Sequence, residues 1–384
     1  MENKKVTMLT AMDLSAAFDT VDHDILLKVL KINFHVENTA LQWFDTYLRP
    51  RNMVVNVNQA YSAPRDLPFS VPQSSCLGPT LYSVYASTMK DIIPERVKIH
   101  GYADDHAIKK EFTPEKEENN TKDELETCLV EIKKWMDQNR LKMNDAKTEF
   151  ILFGSRKMLA KCESGNIDCN GAVVKRSKCI RYLGADLDEN MNMKVHISRK
   201  CRTAWVNLQR IKLIRKFLTQ EATEVLINGL ITSHLDYANS LLYGLPKCEI
   251  KKLERVQKCS AKIILKRGYM ESATKALKDL HWLPVKLRIE FKINCITHKC
   301  VNGIAPVYLS DLIIKKKLYR SGLRSGATGD IDLHVDFNKR KTFADRAFSH
   351  SAPLLWNKLP RALHEIDNHD QFKSKLKTHL FNLY

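Results

Sequence analysis

Three aspartates carry the chemistry that this sequence offers. Asp13 directly follows Val6–Met12 (VTMLTAM), a short run of apolar and β-forming residues that reads as a buried strand, and the end of such a strand is a usual place for a ligand. Asp104 and Asp105 sit between two β-like runs in VKIHGYADDHAIK, residues 97–109, a pattern that predicts a tight hairpin with two acids at its tip. Adjacent carboxylates repel, and a turn needs only one such residue, so the pair implies a cation. Hard oxygen ligands suit Mg²⁺, which takes one or two carboxylates together with substrate phosphates. A merely exposed acidic tip would leave Asp13 without a role.

The elements that position these acids follow from periodicity. After LSAAFDTVDHD, the residues Ile25, Leu26, Val29 and Leu30 recur at helical spacing, with Asp22 or Asp24 placed as the cap. In SVPQSSCLGPTLYSVYASTM, residues 70–89, Pro72 and Gly78-Pro79 punctuate the chain, Gln73 offers an amide to a nucleotide, and Leu81, Tyr82, Tyr85 and Met89 repeat as a helix face. Thr121 to Asn139 places Leu125, Leu129, Ile132, Trp135 and Met136 on one core-facing stripe. A loop with Lys147 leads to a strand over Phe150–Phe153, and IRYLGADL at 180–187 reads as one further short strand.

Read in order, Asp13-Leu14-Ser15-Ala16-Ala17-Phe18-Asp19, Val71-Pro72-Gln73 with Leu77-Gly78-Pro79, Tyr102-Ala103-Asp104-Asp105, Leu141-Lys142-Met143-Asn144 with Lys147-Thr148-Glu149, and Tyr182-Leu183-Gly184 resemble the polymerase motifs of reverse transcriptases, above all those of non-LTR (LINE-type, jockey-like) retrotransposons. The resemblance implies that Asp13, Asp104 and Asp105 bind metal, as two Mg²⁺ ions with Mn²⁺ as a substitute, for RNA-directed DNA synthesis from dNTPs on an RNA template and a DNA primer. It gives Lys147 the protonation of the pyrophosphate leaving group and Phe18 the exclusion of a ribose 2′-hydroxyl. Gln73 and Tyr102 lie beside the nucleotide. Two ions about 3.5 to 4 Å apart would activate the attacking hydroxyl and stabilise the leaving oxygens.

Two departures from the family pattern bear on activity. Ser70 and Ser74 stand where the resembled motif carries glycines, which allow positive φ or close approach of a ligand. Only twelve residues precede Asp13, where the family has a fingers region and, further upstream, an endonuclease. The sequence therefore reads as a 5′-truncated element with reduced fingers and weak or lost activity.

Charge divides the chain of 384 residues, whose formal net charge is +18. Residues 1–150 hold 19 Lys and Arg against 23 Asp and Glu, whereas residues 151–384 hold 43 against 21. A polyanion grip behind a carboxylate site is the reading this suggests. The predicted helix over 193–218 has an apolar stripe of Ile197, Cys201, Trp205, Leu208 and Ile211, with Arg199, Lys200, Arg202, Arg210, Lys212, Arg215 and Lys216 largely off it as nucleic-acid contacts. A further helix is expected over 253–265, and residues 315–346 read as an extended basic linker. Cys295, His298 and Cys300 lack a fourth ligand at metal-site spacing and are read as core or surface.

With 44% hydrophobic residues, packed cores are expected, while the absence of any apolar run of about 18 residues or of a signal peptide predicts neither membrane spanning nor secretion. Ten cysteines without a C-x-x-C pair predict reduced thiols and an intracellular location, nucleus or cytoplasm. The expected fold class is α/β (α+β), a right-hand polymerase palm with reduced fingers over 1–188, a helical thumb over 189–268 and a helical C-terminal extension over 269–384. Two alternatives stay open: a catalytically inactive nucleic-acid-binding remnant, and an unrelated palm enzyme such as an RNA-dependent RNA polymerase or a cyclase, against which Phe18 and the setting of YADD argue.

Overall fold

The computed structural model describes residues 5–268, 270–315, 332–335 and 344–384, arranged as two compact units that divide between Met191 and Asn192. Most of the expected 315–346 linker lies outside the described residues.

The first unit is built on a four-stranded antiparallel sheet. Its strands are β1 (Val6–Met12), β2 (Lys98–Tyr102), β3 (Asp105–Phe112) and β4 (Glu149–Phe153), in the order β4-β1-β3-β2. Residues alternate across β1, so Val6, Met8, Thr10 and Met12 face the main core while Leu9 and Ala11 join a smaller cluster with Ile151, Phe153 and Ile180 on the opposite face. Among the helices that close the main core are α1 (His23–Phe34), α2 (Gly78–Tyr85) and α3 (Glu118–Gln138). Asp22 caps α1, its side chain accepting from the N–H groups of Asp24 and Ile25. The five stripe residues expected on α3 are all buried.

Two hairpins complete this unit. One pairs β5 (Asn166–Cys169) with β6 (Ala172–Lys175) through Asn170-Gly171, and the other pairs β7 (Cys179–Tyr182) with β8 (Ala185–Asp188) through Leu183-Gly184. Both central residues of each turn have positive φ, the conformation that matches strand twist in two-residue loops. Residues 180–187 are therefore two strands rather than the single one expected. The reason is that Gly184 releases the chain into a turn in the middle of an apolar run.

The second unit is helical. Its helix α4 (Lys194–Ile214) packs against α5 (Lys247–Ile264) through Ile197, Cys201, Ala204, Leu208 and Ile211 on one side and Leu253, Val256, Ala261 and Ile264 on the other. Next comes α6 (Val285–Val301), whose start is clasped by Gln257: its Nε2 donates to the Leu283 carbonyl at 2.8 Å, and its Oε1 accepts from Val285 N–H at 3.1 Å. The C-terminal helix α7 (His369–Asn382) closes a cluster of Trp356, Phe372, Leu376 and Cys295. His298 is fully buried there, stacked on Phe372 at 4.1 Å with Nε2 donating to the Ile366 carbonyl, and so belongs to the core as expected. No helix among the described residues is long and apolar enough to cross a membrane.

Candidate active site

Strand register brings the acids together. Met12 pairs with His106, so Asp13 and Asp105 each stand one residue past the end of the β1–β3 ladder, and Tyr102 pairs with Asp105 to hold Asp104 in the intervening turn. The expected hairpin thus exists as β2 and β3. Its tip is fixed from behind by His106, whose Nδ1 donates to the Asp104 carbonyl at 3.1 Å and whose ring fills the space a Cβ at Gly101 would need.

Their mutual influence is visible in Asp105. Burial first, and then the charges of Asp104 and Asp13, push its carboxyl above the usual carboxylate range, with His106 opposing. Asp13 Oδ2 is buried and accepts no hydrogen bond, and the charge beside it is Lys147, whose Nζ lies 3.4 Å away. Lys147 arrives there because Leu14-Ser15 pairs with Lys142-Met143 and the Asn144 N–H bonds the Asp13 carbonyl at 2.8 Å. Even so, no three His, Cys, Asp or Glu side chains among the described residues close into a ready-made metal cage.

The remaining site residues surround this point. Phe18 lies within a turn in which the Asp19 and Thr20 N–H groups both bond the Ala16 carbonyl, and its own carbonyl accepts from Val71 N–H at 3.1 Å. The Phe18 ring stacks on Tyr82 with centroids 4.7 Å apart. Gln73 is exposed, and its Nε2 donates to Asp19 Oδ1 at 2.6 Å. Tyr102 is 70% exposed at the end of β2.

Ser70 and Ser74 both have positive φ, +87° and +58°, the conformation for which glycine is the ordinary choice. Ser70 is pinned there by its N–H to the Val21 carbonyl and by His23 and Arg51 donating to its own carbonyl.

In the second unit, Arg199, Arg202, Arg210, Lys212 and Lys216 are exposed along α4 and the turn after it, and Lys200 lies over the Tyr237 ring at 4.6 Å. Arg215 does not belong with them. It is buried, donating from Nε to Ile263, from Nη2 to Ile264 and from Nη1 to Leu218, all carbonyl oxygens, so it caps the end of α5 instead of facing a ligand. Its position explains this: Ile197, Cys201, Ala204, Leu208, Ile211 and Arg215 follow one another at steps of three and four, so Arg215 continues the buried stripe of α4 into the 3₁₀ turn at Arg215–Phe217.

Residues 1–187 match the family described as reverse transcriptase (RNA-dependent DNA polymerase). They belong to that family. The chain is 30% identical over 227 residues to the RNA-directed DNA polymerase from mobile element jockey of Drosophila melanogaster, covering 56% of its own length and 24% of that protein. A probable RNA-directed DNA polymerase from transposon BS of the same organism is 28% identical over 233 residues, covering 59% and 24%. The chain thus spans about a quarter of the length of these relatives. Among solved structures, apo telomerase from Candida tropicalis aligns with 78% of this chain and 51% of its own, at 10% identity and a TM-score of 0.38.

Sequence reasoning gave no role to Asp19, Tyr82 or His106. Asp19 lay inside a quoted motif, but its bond to Gln73 spans 54 residues of sequence and leaves no local signal. Tyr82 was legible as a core position and His106 carried no periodic signal at all.

Proposed function

We propose that the reverse transcriptase segment is an RNA-directed DNA polymerase palm, extending a DNA primer with dNTPs on an RNA template. The observation that carries this reading is the gathering of carboxylates at the sheet's end: a buried Asp13 oxygen without a hydrogen bond, with Lys147 as the cation beside it, next to an Asp105 whose carboxyl is raised by burial and by its two acidic neighbours. Such a site favours a divalent cation, and oxygen-only donors suit Mg²⁺. Asp13, Asp104 and Asp105 would hold the ions, which when bound neutralise the triphosphate and activate the primer 3′-hydroxyl.

The chain's own residues do the rest. Lys147 keeps a proton beside Asp13 for the leaving pyrophosphate. Phe18 closes the sugar pocket against a 2′-hydroxyl, and the Gln73 amide, oriented by Asp19, lies with Tyr102 at the nucleotide's edge. In the second unit, Arg199, Lys200, Arg202, Arg210, Lys212 and Lys216 meet phosphates without reading sequence. All ten cysteines are free thiols, which suits a reducing compartment.

Primer extension on an RNA template with Mg²⁺ tests the reading. Asp104→Ala should lower extension by about 10³ or more, since removing one preorganised electrostatic group costs on the order of 10² to 10³ in rate. RNA binding should stay within about twofold, because phosphate contacts supply most of nonspecific affinity. Extension that survives Asp104→Ala would refute the assignment. RNA binding without extension by the unmodified chain would favour the binding-remnant alternative.

A further inference from the structure

The Phe18 ring stacks on one aromatic neighbour, Tyr82. Its ring is partly exposed and lies on Tyr82 at 4.7 Å with the planes 29° apart. Tyr82 itself cannot yield. It is fully buried in the core under α2, and the start of that helix is locked against the loop carrying Gln73, because a Cβ at Gly78 would come within 2.9 Å of the Pro72 carbonyl oxygen.

The same loop holds Phe18 from its backbone side through Val71 N–H. Hydrogen bonding does not fix the Tyr82 ring, since its buried hydroxyl has no partner. Packing of the flat ring is what holds both aromatics in place.

We propose that Tyr82 is a specificity-determining positioning residue: its ring sets the place of the Phe18 ring and thereby the preference for deoxynucleotides over ribonucleotides. This rests on the reading of Phe18 given above. A gate against a single hydroxyl group has to be placed to within about 0.5 Å. A half-exposed phenyl ring on a turn does not reach that precision by itself, and a rigid buried face behind it supplies the missing constraint. The hydroxyl of Tyr82 contributes nothing to the selection, so Phe at this position should serve equally well.

The test measures binding of dATP and ATP to the full chain with RNA template, DNA primer and Mg²⁺, by displacement of a fluorescent dATP analogue, for the unmodified chain and for Phe18→Ala, Tyr82→Phe, Tyr82→Leu and Tyr82→Met. The unmodified chain should prefer dATP, and Phe18→Ala should remove that preference. Tyr82→Leu and Tyr82→Met should each cut the dATP-to-ATP affinity ratio about tenfold, about 1.4 kcal/mol, while dATP affinity itself changes little. Tyr82→Phe should keep the full ratio, as a merely structural role would not require.

Two substitutions guard against a folding defect, and circular dichroism melting identifies any variant that does not fold. Should both fail to fold, loss of the ratio in Tyr82→Phe would overturn the proposal and its retention would support it. A preference lost in Phe18→Ala but intact in Tyr82→Leu or Tyr82→Met overturns the role of Tyr82 and leaves that of Phe18 standing. An unmodified chain without any preference, or a preference that survives Phe18→Ala, overturns the reading of Phe18 and this inference with it.

Discussion

The two units use their backbones differently. Among the described residues, seventeen non-glycine positions have positive φ, and thirteen of them lie in the first unit. Five fall inside the polymerase motifs: Ala16 between Asp13 and Phe18, Ser70 and Ser74 around Gln73, Ala103 just before Asp104, and Leu183 in the Tyr-Leu-Gly turn. Such backbone persists only where its surroundings over-determine it, and it gathers at functional sites. The second unit has four such positions, Met193, Ala238, Lys266 and His281, around an assembly of regular helices. On the function proposed above, the first unit works through turns that aim a few side chains, and the second through charge spread over a helix face. The first should be sensitive to single backbone changes and the second to summed charge.

The sharpest exception to a charge-face account of the second unit is Arg215, where one cation serves the fold. Arg215→Met removes three hydrogen bonds from a charged donor and leaves three carbonyls to find other partners. The expected loss is about 3 kcal/mol, because bonds to charged groups are worth about 1.5–3 kcal/mol each and neighbours recover only part of it. Urea denaturation of the full chain, followed by hydrogen exchange in 194–214 and 247–264, measures it. A variant of unchanged stability but weaker RNA binding would return Arg215 to the ligand face.

Summed charge is tested on the remaining cations. Replacing Arg202, Arg210, Lys212 and Lys216 together with Ala should flatten the dependence of log K on log salt by about 3 for single-stranded RNA, at roughly 0.7 per neutralised phosphate. Stability should hardly change, since these side chains are exposed. An unaltered slope would show a solvated surface and erase the functional half of the comparison.

Acid bears on the second unit through a pair of histidines. His298 Nδ1 and His369 Nδ1 are 3.2 Å apart where α7 begins. Burial lowers the His298 pKa against the Ile366 carbonyl and Asp367, and burial, Lys299, His298 and Lys373 lower that of His369 against Asp370. A depressed folded value means that the unfolded chain binds protons more readily. Stability is therefore whole above about 6.5, the unfolded histidine value, and is lost as pH falls from there through the folded values. Hydrogen exchange in 285–301 and 369–382 should accelerate between pH 7.5 and 5.5, and His369→Asn should reduce that acceleration. Equal exchange at both pH values, after correction for intrinsic rates, would remove this pair from the account of stability.

How much of this was legible depends on whether a signal is local. Strand β1, its closing Asp13, the acidic hairpin and the α3 stripe follow from residue alternation and helical spacing, and the structure has them where the sequence places them. The β5–β6 hairpin was equally local, announced by Asn170-Gly171, and went unread beside the longer motifs. Arg215 was misread because its charge was taken as exposure, although its spacing of four from Ile211 and seven from Leu208 continues the buried stripe. The Phe18–Tyr82 stack and the Gln73–Asp19 bond join segments far apart in sequence, and nothing in either segment alone specifies the partner.

The smallest expected effect bears most directly on the backbone contrast. A left-handed conformation costs a non-glycine residue about 1–2 kcal/mol, while glycine gives back about 0.5–1 kcal/mol in the freedom of the unfolded chain. Ser70→Gly and Ser74→Gly should therefore each stabilise the first unit by about 0.5–1 kcal/mol, because little is lost with the side chains: Ser70 Oγ has only a long 3.4 Å contact from Arg51, and Ser74 is exposed. The matched change in the second unit is Ser198→Gly, at an exposed position inside α4, where helical backbone makes glycine unfavourable by about 0.5 kcal/mol relative to serine. One substitution type should thus have opposite signs in the two units. Urea midpoints read by hydrogen exchange in 23–34 and in 194–214 give both. If Ser70→Gly and Ser198→Gly shift stability in the same direction, positive φ at the motif is not stored strain, and the contrast between a backbone-built site and a charge-built face does not hold.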